Sequence, residues 1–323
     1  MKIAILDDYQ GVALQSADWS RLTASGAEIT VFRDTITGHD ALAERLAPFD
    51  VLAVMRERTP LPGSLLGALP NLRLIVTTGA RNLSIDLAAA AARGITVCGT
   101  ESRGTTTSEM AMLLILALSR GLVREANAMA AGGWQVGLGR DLSGLRLGLV
   151  GLGRLGAQVA ALARPFGMEI SAWSQNLTAA RCAEVGVEHA PSLRDLLSGS
   201  DVVSIHLVLS ERSRGLIGPT ELGWMKPDAL LVNTSRGPIA DSRAVIAALE
   251  AGRLGGAAID VYDAEPVPAA DPIRDRELIE AGRLLLTPHI GYVSRQTWEI
   301  FYGQTVEAIE AWAAGSPVRV LQP

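Results

Sequence analysis

Three glycines open the chemistry of this chain. In "LGLVGLGRLGAQVAALA", Gly151, Gly153 and Gly156 stand in G-x-G-x-x-G spacing, directly after an apolar run and directly before a helical stretch. Such a turn lets backbone approach a pyrophosphate, and the helix behind it supplies N–H donors and positive potential. The chemistry implied is dinucleotide binding. The fingerprint also expects an acid about 20 residues on, at the end of the next strand, to accept from a ribose hydroxyl. Here "MEISAWSQNLT" offers none: Glu169 falls near the start of that strand, and Ser174, Gln175 and Asn176 follow its end. Neutral donors suit a 2′-phosphate better than a carboxylate does, and Arg181 could add charge. The cofactor expected is NADP or NAD, with NADP slightly favoured.

These residues need a scaffold. The first hundred residues alternate short apolar runs ("KIAIL", "EITVF", "DVLAVM", "LRLIVTT", "ITVCG") with amphipathic stretches such as Asp40 to Leu46 and Ile85 to Arg93. That is the rhythm of βαβ units on a parallel sheet. A long apolar helix is expected from Ser108 to Met129, buried on several sides and ended by Gly132-Gly133. A second alternation then supplies six strand candidates: "LRLGLVGLG", "EISAW", "DVVSIHLV", "ALLVNTS", "GAAID" and "RLLLTPH". The tail after His289 reads as one amphipathic helix with Trp298, Phe301, Val306, Ile309 and Trp312 available for packing, and it has no sheet of its own.

The fold class expected is α/β: two doubly wound parallel-sheet domains, a Rossmann dinucleotide-binding domain (100–290) inserted in a discontinuous flavodoxin-like substrate domain (1–99 and 291–323). The length of 323 residues fits two such domains.

Composition narrows the partners. A net charge of −5, with no Lys/Arg run, gives no footprint for nucleic acid or an anionic membrane. Asp7 and Asp8 follow the first apolar residues so closely that no signal-peptide h-region is expected, and the apolar run Met110 to Leu118 is too short to span a bilayer. Cys98 and Cys182 have no metal or disulfide spacing, so no metal site is expected and a cytoplasmic setting is.

Four blocks, "GLGRLG" (151–156), "LLVNTSRGPIAD" (230–241), "GAAIDVYDAEPVP" (256–268) and "LLLTPHIG" (284–291), follow one another in the order that resembles the D-isomer-specific 2-hydroxyacid dehydrogenases, which include glyoxylate/hydroxypyruvate reductases. The resemblance covers nearly the whole chain. It implies hydride transfer between a nicotinamide cofactor and a small 2-keto/D-2-hydroxy acid. Arg236 would bind the substrate and polarise its carbonyl; His289 would be the general acid/base; Glu265 would orient His289 and raise its pKa. Asp260 corresponds to a nicotinamide-binding acid. Cofactor contacts are implied for Arg154, Leu155, Leu207, Thr234, Ser235, Arg236, His289 and Gly291 beside the residues above.

"TTGARN" (77–82) stands where the family binds the substrate carboxylate, which brings in Ala80 and Arg81, although Arg81 replaces a glycine. Arg103 is a second candidate anion ligand, and Val208 and Tyr292 are further departures. Of the other histidines, His39 and His189 read as solvated, and His206 as packing near the nucleotide. A homodimer is expected from the resemblance and from the apolar helix. The competing reading is a non-enzymatic dinucleotide-sensing corepressor of the same fold.

Overall fold

A computed structural model describes all 323 residues. The chain forms two compact units, Met1–Arg103 with Val293–Pro323, and Gly104–Tyr292.

The first unit holds β1 (Lys2–Ile5), β2 (Glu28–Val31), β3 (Val51–Val54), β4 (Leu74–Thr77) and β5 (Thr96–Gly99). All pair in parallel, in the order β2-β1-β3-β4-β5. The central strands β3 ("VLAV") and β4 ("LIVT") are buried at every position, as unbroken apolar runs covered on both faces must be. This is the flavodoxin-like order, whose switch point lies between β1 and β3. The helix Arg295–Ala313 belongs to this unit and packs on β4. Ser294 caps it by accepting from the Thr297 N–H at 3.2 Å. Trp298, Phe301, Val306 and Ile309 are buried along it, whereas Trp312 is half-buried with the Arg73 guanidinium 5.6 Å from its ring.

The second unit holds β6 (Arg146–Val150), β7 (Glu169–Trp173), β8 (Glu188–His189), β9 (Val202–Ile205), β10 (Leu230–Asn233), β11 (Gly256–Ile259) and β12 (Leu284–Leu286). They form a parallel sheet ordered β12-β11-β10-β9-β6-β7-β8. Register aligns the strand ends: Val150 pairs with Trp173 and Ile205, Asn233 with Ile205 and Ile259, and Ile259 with Leu286. The residues that follow are Gly151, Ser174, His206, Thr234, Asp260 and Thr287, so six chain segments deliver their chemistry to one carboxyl-end edge.

Two expectations need correcting. There are seven strands rather than six, because β8 is only two residues long and carries no periodic signal; His189 lies in it, its Nε2 3.2 Å from the Leu177 carbonyl. The single helix from Ser108 to Met129 is two helices, Thr106–Ser119 and Leu122–Ala130, bent by 63°. Gly121 sits between them at φ +59, a left-handed conformation that a continuing α-helix cannot contain. The first helix is deeply buried, whereas the second buries none of its residues. No single helix is long and apolar enough to cross a membrane.

Candidate active site

The glycine turn follows β6. Gly151 has φ +108, and a Cβ there would fall 2.8 Å from the His206 carbonyl oxygen; a Cβ on Gly156 would fall 2.2 Å from the Gly151 carbonyl oxygen. Around Gly153 the corresponding space is open. The helix Arg154–Ala163 starts here with half-buried Leu155 in its first turn, and Arg154 donates to the Gly104 carbonyl at 2.8 Å. Leu207 lies against Gly151 and accepts from the Ser235 hydroxyl. Thr234 is buried and its Oγ1 has no hydrogen-bond partner within the protein. A constricted glycine turn, a helix N-terminus and an unsatisfied buried hydroxyl on the same edge fit a dinucleotide.

Ser174, Gln175 and Asn176 follow β7 at that edge. Glu169 is at the other end of the strand, paired with Arg146 at 3.2 Å. Arg181 pairs with Glu184 at 2.9 Å, which offsets the charge it was expected to add. Sequence reasoning missed Arg212. Gln175 Nε2 donates to the Arg212 carbonyl at 3.3 Å, a neighbourhood made across 37 positions of chain that no local signal announces.

Arg236 follows β10, on a turn organised by buried Asn233. Asn233 Nδ2 donates to the Arg236 carbonyl at 3.0 Å, and its Oδ1 accepts from the Ser235 N–H at 3.0 Å. Arg236 is half-buried, its Nη1 donating to the Ser235 carbonyl at 2.8 Å. A Cβ on Gly237 would fall 2.2 Å from the Tyr262 carbonyl carbon, so this turn rests directly on the one that carries Glu265.

His289 Nδ1 lies 2.5 Å from Glu265 Oε2, with side chains 22% and 20% exposed. Glu265 is held through Oε1, which accepts from the Tyr262 N–H at 3.0 Å. His289 itself has φ +52. Asp260 fastens the segment around it: Oδ1 accepts from Thr287 Oγ1 at 2.6 Å and the Ile290 N–H at 2.8 Å, and Oδ2 accepts from the Gly291 N–H at 2.8 Å. Burial raises the Asp260 pKa against the pull of those donors. Its carboxylate is fully buried and occupied by this turn.

Thr287 and Tyr262 are residues that sequence reasoning missed. The Tyr262 hydroxyl reaches the carbonyls of Ile259 and Thr287 at 3.0 and 2.8 Å, and burial beside Asp260 and Glu265 raises its pKa, which keeps it a donor. Tyr292 meets the His289 ring edge-on at 5.4 Å.

His206 follows β9 with Nε2 2.9 Å from Ser204 Oγ, and desolvation pulls its pKa down to about 4. The unfolded chain takes up this proton near pH 6.5, the folded chain only near 4. Stability is therefore complete above about pH 6.5 and falls between there and 4, by about 3 kcal/mol. Urea unfolding across that window should show the loss, and His206→Gln should flatten it; an unchanged slope would refute the assignment.

Ala80 and Arg81 lie in the other unit, exposed in the loop after β4, and Arg103 is exposed after β5. His39 is exposed at the start of the helix His39–Leu46, and Val208 is 74% exposed.

Residues 112–291 match the family described as D-isomer specific 2-hydroxyacid dehydrogenase, NAD binding domain. A glyoxylate reductase of Korarchaeum cryptofilum is 35% identical over 85% of this chain and 82% of its own. A glycerate dehydrogenase of Methylorubrum extorquens is 31% identical over 88% of each. The crystal structure of a phosphoglycerate oxidoreductase from Vibrio cholerae superposes with a TM-score of 0.90 at 36% identity, covering 98% of this chain and all of that one. The chain belongs to the D-isomer-specific 2-hydroxyacid dehydrogenase family and is an NAD-dependent oxidoreductase.

Proposed function

We propose that the protein reduces small 2-keto acids to D-2-hydroxy acids, with His289 and Glu265 as the acid/base pair and Arg236 binding and polarising the substrate. The observation that carries this reading is the 2.5 Å His289–Glu265 contact on the edge that also bears Arg236 and the glycine turn. The names of the glyoxylate reductase and glycerate dehydrogenase relatives support it.

The nicotinamide, when bound, supplies the hydride. Gly151, Gly153, Arg154, Leu155 and Gly156 would hold its diphosphate, Ser174, Gln175 and Asn176 its ribose, and Leu207, Thr234, Ser235 and Gly291 the remainder. The guanidinium of Arg236 draws electron density from the substrate carbonyl. With Nδ1 turned to Glu265, the His289 imidazole gives its proton from Nε2 to the developing alkoxide, and Glu265 stabilises the charged ring. Ala80 and Arg81 are the substrate-binding positions assigned to the first unit, which makes that unit the substrate domain and the second the cofactor domain.

Parallel initial rates of NADPH and NADH oxidation with glyoxylate and hydroxypyruvate test the reading. Absence of turnover with both nucleotides overturns it. NADPH is expected to serve at least as well as NADH, because Ser174, Gln175 and Asn176 leave no carboxylate against a 2′-phosphate. Ser174→Asp should move the NADPH/NADH ratio toward NADH by about tenfold or more, one charge repelling another in place of a hydrogen bond. An unmoved ratio removes Ser174 from cofactor choice.

A homodimer is part of this proposal. No residue of the helix Leu122–Ala130 is fully buried, and Leu122, Met129, Trp134 and Leu138 are 55%, 60%, 74% and 97% exposed around it, a surface that a second copy would cover. Sedimentation should give twice the 34.0 kDa chain mass, and Met129→Lys with Trp134→Lys should restore the single-chain value. Cys98 and Cys182 are free and buried, which suits a reducing cytoplasm.

A further inference from the structure

The segments that carry Arg236, Glu265 and His289 all belong to the second unit, and one residue reaches each of them. Tyr262 follows β11, in the turn that leads to Glu265. Its N–H donates to Glu265 Oε1 at 3.0 Å. Its carbonyl lies against the Arg236 turn: a Cβ on Gly237 would fall 2.2 Å from the Tyr262 carbonyl carbon and 2.5 Å from its oxygen. Its hydroxyl reaches the Thr287 carbonyl at 2.8 Å, just ahead of Pro288 and His289, and the Ile259 carbonyl at 3.0 Å, at the end of β11. Backbone and side chain of a single residue therefore meet the acid, the turn of the arginine and the turn of the histidine.

Neither carbonyl needs the hydroxyl to be satisfied. The Ile259 carbonyl accepts from the Thr287 N–H at 3.0 Å, and the Thr287 carbonyl from the His289 N–H at 2.9 Å. The phenol has one proton, shared between two acceptors that already have donors. What the bond adds is a fixed spacing between the end of β11 and the turn after β12. That turn needs restraint, because His289 has φ +52, a conformation that a residue with a Cβ keeps only where its surroundings impose it. Asp260 grips the turn through the Thr287 hydroxyl and, beyond the histidine, through the N–H groups of Ile290 and Gly291. The main-chain carbonyl ahead of the histidine is held by Tyr262. Burial, and then the charges of Asp260 and Glu265, push the ionisation of the phenol up, so it stays a donor.

We propose that Tyr262 is a positioning residue: its hydroxyl fixes the His289 turn against the turns of Glu265 and Arg236, and so sets the 2.5 Å His289–Glu265 contact. The inference rests on the reading that His289 and Glu265 are the acid/base pair of a 2-keto-acid reductase. It adds that phenylalanine, which keeps the ring and the N–H donor to Glu265, cannot replace the tyrosine. Misplacing a proton donor costs rate more than affinity.

Tyr262→Phe isolates the hydroxyl, and because both carbonyls keep their N–H donors the variant should fold, which urea unfolding checks. With glyoxylate and reduced nucleotide, kcat should fall by about tenfold while KM stays within about twofold. In a Glu265→Gln background the same change should cost less than about twofold, since the contact it sets is already altered. A merely structural role costs the same factor in both backgrounds. That result overturns the proposal and leaves the reductase reading intact, as does a loss confined to KM or a kcat within about twofold of wild type. Ring-nitrogen NMR of isotope-labelled histidine, at one fixed pH, reads the contact without turnover. The His289 Nδ1 signal, assigned by its loss in His289→Gln, should move on Tyr262→Phe while the signals of His39, His189 and His206 stay. An unmoved His289 signal overturns the proposal whether or not any acid is reduced. If wild-type protein reduces no acid and the signal still moves, the reductase reading fails and the positioning of His289 by Tyr262 stands.

Discussion

Arg236→Lys should lower kcat/KM for glyoxylate by about 10² to 10³, roughly 3 to 4 kcal/mol of transition-state stabilisation. The positive charge survives that change, so the loss isolates geometry. A guanidinium presents parallel N–H donors to a planar acid, whereas an ammonium offers a point charge on a flexible stem. The Asn233 side chain bonds backbone groups of Ser235 and Arg236, so the turn should persist in the variant. Turnover within about threefold of wild type would show that charge alone suffices and would end the polarising role.

His289→Gln should reduce kcat by about 10² to 10⁴, the range carried by one positioned acid/base. Glutamine keeps polar atoms near Glu265 but has no proton to give at neutral pH. Glu265→Gln should cost less, because it leaves the imidazole in place and removes only the carboxylate that orients and stabilises it. The order of the two losses is the informative quantity. Equal rates for wild type and His289→Gln would remove the histidine from the reaction.

Much of this was legible in the sequence because the signals are local. An apolar strand, three spaced glycines and a helical stretch specify the dinucleotide turn within 17 residues of chain, and parallel strands buried on both faces read as unbroken apolar runs. The bend at Gly121 was harder to see. Apolar residues continue through Leu122 and Val123, so composition carries the helix on while one backbone angle ends it. The two-residue strand β8 is too short for any period to register.

Within the site, residues that follow strands could be found from sequence, whereas residues whose role is to hold others could not. Asp260 illustrates the difference. Its position after β11 is visible in "GAAID", yet its three donors come from 27 to 31 residues away. Tyr262 and Arg212 likewise gain their places from pairings that only the folded chain makes.

The positive φ of His289 carries a consequence for how this protein would evolve in the laboratory. A residue with a Cβ held there costs about 1 kcal/mol or more relative to glycine, and asparagine tolerates the conformation better than most. His289→Gly removes that cost but leaves Glu265 Oε2 without its donor, so a higher melting temperature is expected only where Glu265 is neutralised as well, in His289→Gly with Glu265→Gln, a pair that would be almost inert. A screen that rewards heat resistance alone would enrich such pairs, trading the reaction for a relaxed backbone. Selection on this scaffold has to score turnover in the same round as stability.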